Sequence, residues 1–326
     1  MTIMAYHSQQ VLLLRHEQEK HLDSILKRKE GTDAEPNAFN NAVIREHLDK
    51  STAKHMLFIL VATPVEEIGR DHDFDWAVVE PSSYRSIIQL AGRVRRHREG
   101  EVNHPNIALL QYNWKTIQSG NQPGKKYFCR PGYEDKQVLD THNLCELLDT
   151  KAIAQSVNAI PRIQKPMHLN YRNALADLEH HVTQIQLANY TGVGPEKLQG
   201  YLAENWHLTA LPQALNPFRK SEPTTSVFLM YDPDEERCVF IEKDEQGHPI
   251  DRENILQIHQ QRISKSHEKR LWLKRDYGEL LEQYTEQPDW SKKRISLRYG
   301  ELSFVYRENH VYEYSDQFGL ISKVDD

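Results

Sequence analysis

Between Met56 and Val61 the chain runs through six consecutive apolar residues, MLFILV, and then meets the pair Thr63-Pro64. Such a run is far too short to span a bilayer, and with no polar alternation it reads as a strand buried on both faces, the kind that parallel sheets use. Pro64 ends it, because its ring disfavours helical geometry at Thr63 and removes a backbone donor. The loop that follows, Val65 to Asp73, carries Glu66, Glu67, Gly69, Arg70 and Asp71 off the strand's C-terminal edge. Open α/β sheets bind their ligands at that edge. The expected class is α/β.

A second short strand is expected over Phe74–Glu80, followed by Pro81, Ser82 and Ser83, whose hydroxyls suit the N-cap of a helix starting near Tyr84. On that helix Ile87, Leu90, Ala91 and Val94 recur at i, i+3, i+4 and i+7, a core-facing stripe. Gln89, Arg93 and Arg96 share another face. Gly92 costs about 1 kcal/mol relative to Ala inside a helix, which points to a close approach to the backbone there. Taken alone, a Gln/Arg face is ordinary solvated surface. Its weight comes from the order of parts: strand, Thr, acidic-Gly-Asp loop, strand, then Gln-x-x-Gly-Arg-x-x-Arg.

That order resembles motifs V and VI of superfamily 2 helicases, and the wording VATPVEEIGRDHDFDWAVVEPSSYRSIIQLAGRVRRHR resembles the CRISPR-associated helicase-nuclease family of type I-F systems. The resemblance implies that Thr63 contacts a nucleic-acid phosphate and that Gly69 and Asp71 lie near the nucleotide. It places Gln89, Arg93 and Arg96 against the triphosphate, with Arg96 as the arginine finger. Such a finger stabilises charge on the transferred phosphoryl group and is worth roughly 10³ to 10⁵ in rate. Glu67 takes the family's acidic position in the motif V loop. The cofactor implied is ATP with Mg2+, shared with a lobe outside this chain. The partners implied are single-stranded DNA, an RNA-guided CRISPR surveillance complex, a CRISPR integrase subunit and an N-terminal nuclease/helicase portion.

At 326 residues the chain accommodates two domains whose cores need no disulfides. Its net charge of −6 argues against a generally basic nucleic-acid coat; the basic residues cluster instead at Arg85–Arg98, Arg262–Arg275 and Lys292–Arg298. Cys129, Cys145 and Cys238 form no C-x-x-C pair, so a zinc knuckle or redox motif is not expected, and a reducing cytoplasm fits. The N-terminus MTIMAYHSQQ lacks the basic-then-apolar pattern of a signal peptide, and no run nears the ~18 apolar residues of a membrane helix. The expectation is a cytoplasmic protein that does not contact a membrane.

In chain order, an N-terminal helix carries Leu13, Leu14, Leu22, Ile25 and Leu26. His7 to Arg15 resembles the family's segment just after the first strand of the second RecA-like domain, and that strand is read as missing. Asn40–Asp49 reads as a short helix and Asn106–Tyr112 as a further strand of the same sheet. Gly120, Pro123, Gly124, Pro131 and Gly132 punctuate a connector, after which Leu144–Ile160 and Asn170–Tyr190 read as helices. His180 and His181 are adjacent on the second, about 100° apart, and cannot share an ion. From Thr224 a hairpin, Val227–Tyr231 with Cys238–Glu242, precedes helical Glu253–Gln283, interrupted near His267, and short strands at Arg294–Tyr299, Leu302–Arg307 and Val311–Tyr314.

Aromatic rings from Trp272 to Tyr314 stand among Lys and Arg, a composition that binds single strands, with most rings expected in the core and one or two at a surface. Arg270 and Lys274 are the candidate strand contacts there. The expected organisation is an incomplete second RecA-like helicase domain over 1–114, a parallel sheet with flanking helices. A linker and helical region over 115–221 and a smaller α+β C-terminal domain over 222–326 follow.

The phosphate-cradling loop G-x-x-x-x-G-K-[ST] does not occur; Gly192-Val-Gly-Pro lacks its Gly-Lys-Ser/Thr ending. Asp71-His72-Asp73 has the letters of a nuclease metal centre but lies in the motif V loop without a second cluster, so no metal site is expected. The chain reads as the C-terminal portion of a longer helicase-nuclease, holding half an ATP site and inactive by itself. The alternatives are part of another superfamily 2 translocase, or a non-catalytic module that binds single-stranded DNA or protein. For the latter, Lys269, Arg270, Lys274 and Arg275 would be the contacts.

Overall fold

A computed structural model describes residues 1–29, 35–67, 71–129, 132–134, 137–189, 192–215, 222–234, 236–250, 258–286 and 290–324, and the fold is mixed α/β. It comprises two compact units, Met1–His72 with Glu222–Asp326, and Asp73–Ser221. The division thus falls at His72/Asp73, inside the stretch expected to form one domain, and each unit has its own apolar core.

In the first unit Thr2–Tyr6 and Phe58–Ala62 are parallel strands, in register from Thr2↔Phe58 to Tyr6↔Ala62. A strand therefore stands where the sequence reading had one missing. Thr2, Met4 and Tyr6 are its buried residues, a two-residue period too brief to stand out before the helix that follows. That helix, Leu12–Leu26, buries Leu13, Leu14, Leu22, Ile25 and Leu26. On the other edge of the strand Thr2–Tyr6, Ile3 N donates to Arg270 O (2.8 Å) and Ile3 O accepts from Trp272 N (2.9 Å). Ala42–Asp49 is helical, its first amides, of Val43 and Ile44, bonded to the Asn41 side chain.

The expected hairpin forms, Thr225–Asp232 against Arg237–Lys243, inside a four-stranded antiparallel sheet completed by Pro249–Ile250 and Glu301–Phe304. A three-stranded sheet joins Gly319–Val324, His310–Ser315 and Ile258–Gln260. The core gathers Leu14, Leu229, Tyr277, Leu281, Ile295 and Leu302. Two expectations fail here. Lys292–Tyr299 is a helix, not a strand: Ser291 caps the Arg294 amide, and Ile295 and Ser296 are buried side by side. The alternation of Ile295, Leu297 and Tyr299 only imitates a strand. Of the helix expected over Glu253–Gln283, Lys265–Glu268 and the stretch from Tyr277 are helical, Ile258–Gln260 is a strand, and residues 253–257 lie outside the described ones.

In the second unit Ala77–Val79 and Ile107–Leu109 pair in parallel. Among the described residues they form a two-stranded sheet of their own, not an extension of the Phe58–Ala62 sheet. Helix Tyr84–Ala91 covers one face, burying Tyr84, Ser86 and Ile87, and Ser83 Oγ accepts from the Ser86 amide at 3.0 Å as its N-cap. Helix Leu175–Asn189 adds Leu175 and Leu178 to the core. The connector is organised by Glu134, whose buried carboxylate accepts from the Tyr127, Phe128 and Leu139 amides and meets His142 Nε2 at 2.9 Å. The helix expected over Leu144–Ile160 is broken into Leu144–Leu147 and Thr150–Gln155, because Leu148 is extended between them. Among the described residues no helix is long and apolar enough to cross a membrane.

Candidate functional site

The Thr-Pro pair stands at the C-terminal end of the parallel strands of the first unit. Thr63 is exposed and extended, and its amide donates to Tyr6 O at 3.0 Å. Pro64–Glu66 then makes one tight turn, closed by the Glu66 amide on Thr63 O and the Glu67 amide on Pro64 O. The turn drives both glutamates inward, to 3% and 4% exposure. His72, itself buried, presents Nδ1 to Glu66 Oε1 at 2.8 Å and Nε2 to Asp23 Oδ1 at 3.1 Å. Hydrogen bonds to two carboxylates require a proton at each ring nitrogen or on a carboxyl group. Burial raises the Asp23 pKa, but hydrogen bonds from Lys27 and His72 outweigh it and hold the carboxyl below its usual value. Glu66 Oε2 is buried with no hydrogen-bond partner among the described residues. Asp71 pairs with Lys29 at 3.0 Å, and Gly69 lies outside the described residues.

The Gln/Arg group belongs to the second unit. Gln89 sits in the last turn of the Tyr84–Ala91 helix, with Oε1 buried and no hydrogen-bond partner among the described residues. The helix does not run on to Arg96 as expected. It stops at Gly92, whose amide bonds Ile88 O, and the nearest atoms to a Cβ there would be the helix's own carbonyls. Gly92 is thus a helix end rather than a point of close approach. Beyond it the chain pairs with the segment around Phe74: Phe74 N donates to Arg93 O (2.8 Å) and Arg95 N to Phe74 O (2.9 Å). Arg93 is buried, Arg96 exposed, and Arg95 holds a left-handed backbone with φ 51°.

Arg98 and Asp73, which the sequence reading did not single out as a pair, anchor this arm. Asp73 is fully buried; its carboxylate takes Arg98 Nη2 at 2.7 Å and the His97 amide at 3.1 Å, while Arg98 Nη1 reaches Asp75 at 2.6 Å. Burial lowers the Arg98 pKa, but hydrogen bonds to Asp73 and Asp75 raise it more, so the guanidinium charge is held. Asp73 and His72 are therefore committed within their own units. Among the described residues no group of three or more His, Cys, Asp or Glu is placed to hold a metal.

Of the C-terminal basic residues, Lys269, Arg270 and Lys274 are exposed, and Arg270 lines a cavity of about 550 Å³ with Ile3, Arg262 and His267. Arg275 is not a surface contact. It is 5% exposed and donates to Leu14 O, Gln18 Oε1 (2.8 Å) and Gln317 O (2.7 Å). Trp272, Tyr277, Tyr312 and Tyr314 are core residues, while Tyr306 is exposed.

Comparison with known proteins gives a consistent set of relatives. The family profile "CRISPR-associated nuclease/helicase Cas3, C-terminal" matches residues 1–99, a span that contains both Thr63 and Arg98. The CRISPR-associated nuclease/helicase Cas3 subtype I-F/YPEST of Pseudomonas aeruginosa (strain UCBPP-PA14) is 36% identical over 314 residues, 94% of this chain and 28% of that protein. Its namesake in Pectobacterium atrosepticum is 34% identical over 93% of this chain and 28% of that protein. The chain therefore spans little more than a quarter of the length of these relatives. The crystal structure of T. fusca Cas3-AMPPNP matches 99% of this chain and 34% of its own at 13% identity, with a TM-score of 0.36.

Proposed function

Since the chain is homologous over nearly its whole length to the C-terminal region of the Cas3 CRISPR-associated nuclease/helicases of subtype I-F, we propose that it supplies motifs V and VI to an ATP-driven DNA motor. The observation that carries this reading is the profile match over residues 1–99, which takes in every residue from Thr63 to Arg98. In it, residues 1–114 act as a second RecA-like domain and 222–326 as a C-terminal domain, with 115–221 as the linker and helical region.

The donor set suits the anionic end of a nucleotide but not the whole of it. Arg96, which is exposed, offers a guanidinium fork that matches phosphate oxygens; Arg93 is buried, and it and Gln89, whose unpartnered buried Oε1 is an acceptor that an anionic phosphate cannot fill, are assigned to the nucleotide by the family resemblance alone. The Gly-rich loop that would cradle the α- and β-phosphates is absent from the sequence, so the remaining contacts must come from another lobe. When bound with Mg2+, ATP supplies the phosphoryl group whose transfer releases the driving free energy. Arg96, exposed at the bend beyond the helix, neutralises charge on that group; Asp73 fixes the arm through Arg98 and so sets where Arg96 stands. Thr63 offers an exposed hydroxyl to a strand phosphate, and Arg270 and Lys274 add cations. Gly69 and Asp71 belong to the nucleotide side of the same reading. The surveillance complex and the integrase subunit are the partners it implies, with single-stranded DNA the track.

Mixing the chain with the N-terminal portion of the Pseudomonas aeruginosa relative, the part of that protein that the chain does not match, tests this. ATP hydrolysis stimulated by single-stranded DNA is expected from the pair and from neither part alone. A stable pair that hydrolyses no ATP would overturn the reading.

A further inference from the structure

The cavity beside Arg270, about 550 Å³, is built by the first unit alone, and its lining has two unlike parts. One part is mostly aliphatic, from Ile3, Ile263, Leu271, Phe318 and Ile321. The register of the strands His310–Ser315 and Gly319–Val324 accounts for the last of these. Glu313 pairs with Ile321 and Ser315 with Gly319, on the side of the sheet opposite to Tyr312, Tyr314 and Leu320, which are core. The pleat therefore turns Ile321 away from the core and into the cavity, where it is 42% exposed.

The other part is cationic. Arg262, His267 and Arg270 line the same cavity, all three exposed, and none of their side chains has a hydrogen-bond or ion-pair partner among the described residues. The lining carboxylate, Glu313, is taken up by Lys323 at 2.6 Å. The cavity is thus a positive spot on a chain of net charge −6. It also lies away from the ligand edge of the sheet. Ile3 stands toward the start of the strand Thr2–Tyr6, whereas Thr63 is bonded to Tyr6 at its far, C-terminal end, where open α/β sheets gather ligands.

An apolar wall with cations beside it matches a ligand that is itself part apolar and part anionic. Bases of a single strand stack on flat aromatic faces, which aliphatic walls do not offer. A Leu or Phe side chain fills such a space, and Asp or Glu beside it meets a guanidinium fork at two points. We propose that this cavity is a docking site for an acidic segment of a partner protein. The segment seats one bulky apolar side chain against Ile263, Leu271 and Ile321 and sets its carboxylates on Arg262 and His267. The inference stands apart from the function proposed above. Arg270 is a strand contact there, but Arg262 and His267 have no part in it, and the test is built on Arg262.

A labelled peptide with Leu-Phe flanked on both sides by Asp and Glu, titrated with the whole chain and read by fluorescence anisotropy, tests the site. Its binding is expected to weaken with added salt, and to fall about tenfold when Ser-Ser replaces Leu-Phe or when Lys replaces the acids. Arg262→Glu and Ile321→Glu alter exposed positions, and each is expected to weaken binding by about tenfold, with folding checked by circular dichroism. Lys115→Glu makes the same charge change at an exposed position of the other unit and is expected to leave binding as it is. No binding of the acidic apolar peptide, or equal behaviour of Arg262→Glu and Lys115→Glu, overturns the site. So does displacement of the peptide by oligo-dT as readily as by unlabelled peptide, which would give the cavity to a single strand. The ATPase of the chain mixed with the N-terminal portion of the relative is expected to be the same with Arg262 or Arg262→Glu, so either proposal can fail alone.

Discussion

Arg270 and Arg275 stand five residues apart in one basic run, yet Arg270 is exposed while Arg275 is buried and spends its guanidinium on three acceptors of its own unit. A run of cations in the sequence does not distinguish them, because burial is decided by the Leu12–Leu26 helix and the Gln317 turn far away in the chain. The same surroundings set two opposed pH responses. Burial, then His47 and Arg275, push His21 down to about 4, so its folded pKa lies below the ordinary value of 6.5. Its contribution is present above pH 6.5 and is lost as pH falls towards 4. Burial pushes Asp316 up to about 6, so its contribution is present below pH 3.8 and lost as pH rises through 6. Between pH 7 and 5 the first effect costs roughly 2 kcal/mol and the second partly offsets it. His21→Leu should therefore gain stability on acidification relative to the parent, and Asp316→Asn should lose it more steeply. Urea midpoints at pH 7 and pH 5 measure both, and parallel shifts in parent and variants would contradict the assignment.

The Gln/Arg arm shows what the element scale adds. Ser83 as N-cap and the apolar residues of the Tyr84–Ala91 helix were legible, because capping and a 3.6-residue period are local. The helix end was not, because Val94 continues the period and only the pairing with Phe74, twenty residues earlier, draws it off the helix axis. The strand Thr2–Tyr6 and the helix Lys292–Tyr299 escaped for related reasons, one too short and one accidentally alternating. Asp73 was visible only as a letter in Asp-His-Asp; its partner Arg98 is twenty-five residues away. Asp73→Ala removes the acceptor of both the Arg98 fork and the His97 amide, and is expected to cost about 1–3 kcal/mol. Hydrogen exchange should show the amides of Arg93 to Arg98 losing protection while the Thr225–Asp232 strand keeps its own. Unchanged exchange in the arm would remove Asp73 as its anchor.

Across the whole molecule, two units with separate cores imply two unfolding events. Leu229 and Leu178 are both fully buried, one in each core, and replacing either with Ala is expected to cost about 2–5 kcal/mol. Calorimetry should show Leu229→Ala lowering one transition and Leu178→Ala the other; a single transition that both variants shift equally would contradict independent cores. The homology to subtype I-F relatives reaches along both units, and those relatives are more than three times as long. In the function proposed above, the chain's part rests on what it brings to a nucleotide held by another lobe, and Arg96 is the residue on which that proposal turns. The most direct measurement is the DNA-stimulated ATPase of the chain paired with the N-terminal portion of the Pseudomonas aeruginosa relative, carrying either Arg96 or Arg96→Ala. The account predicts a fall in kcat of roughly 10³ or more with little change in the KM for ATP; hydrolysis by the Ala variant at the parent's rate would contradict it.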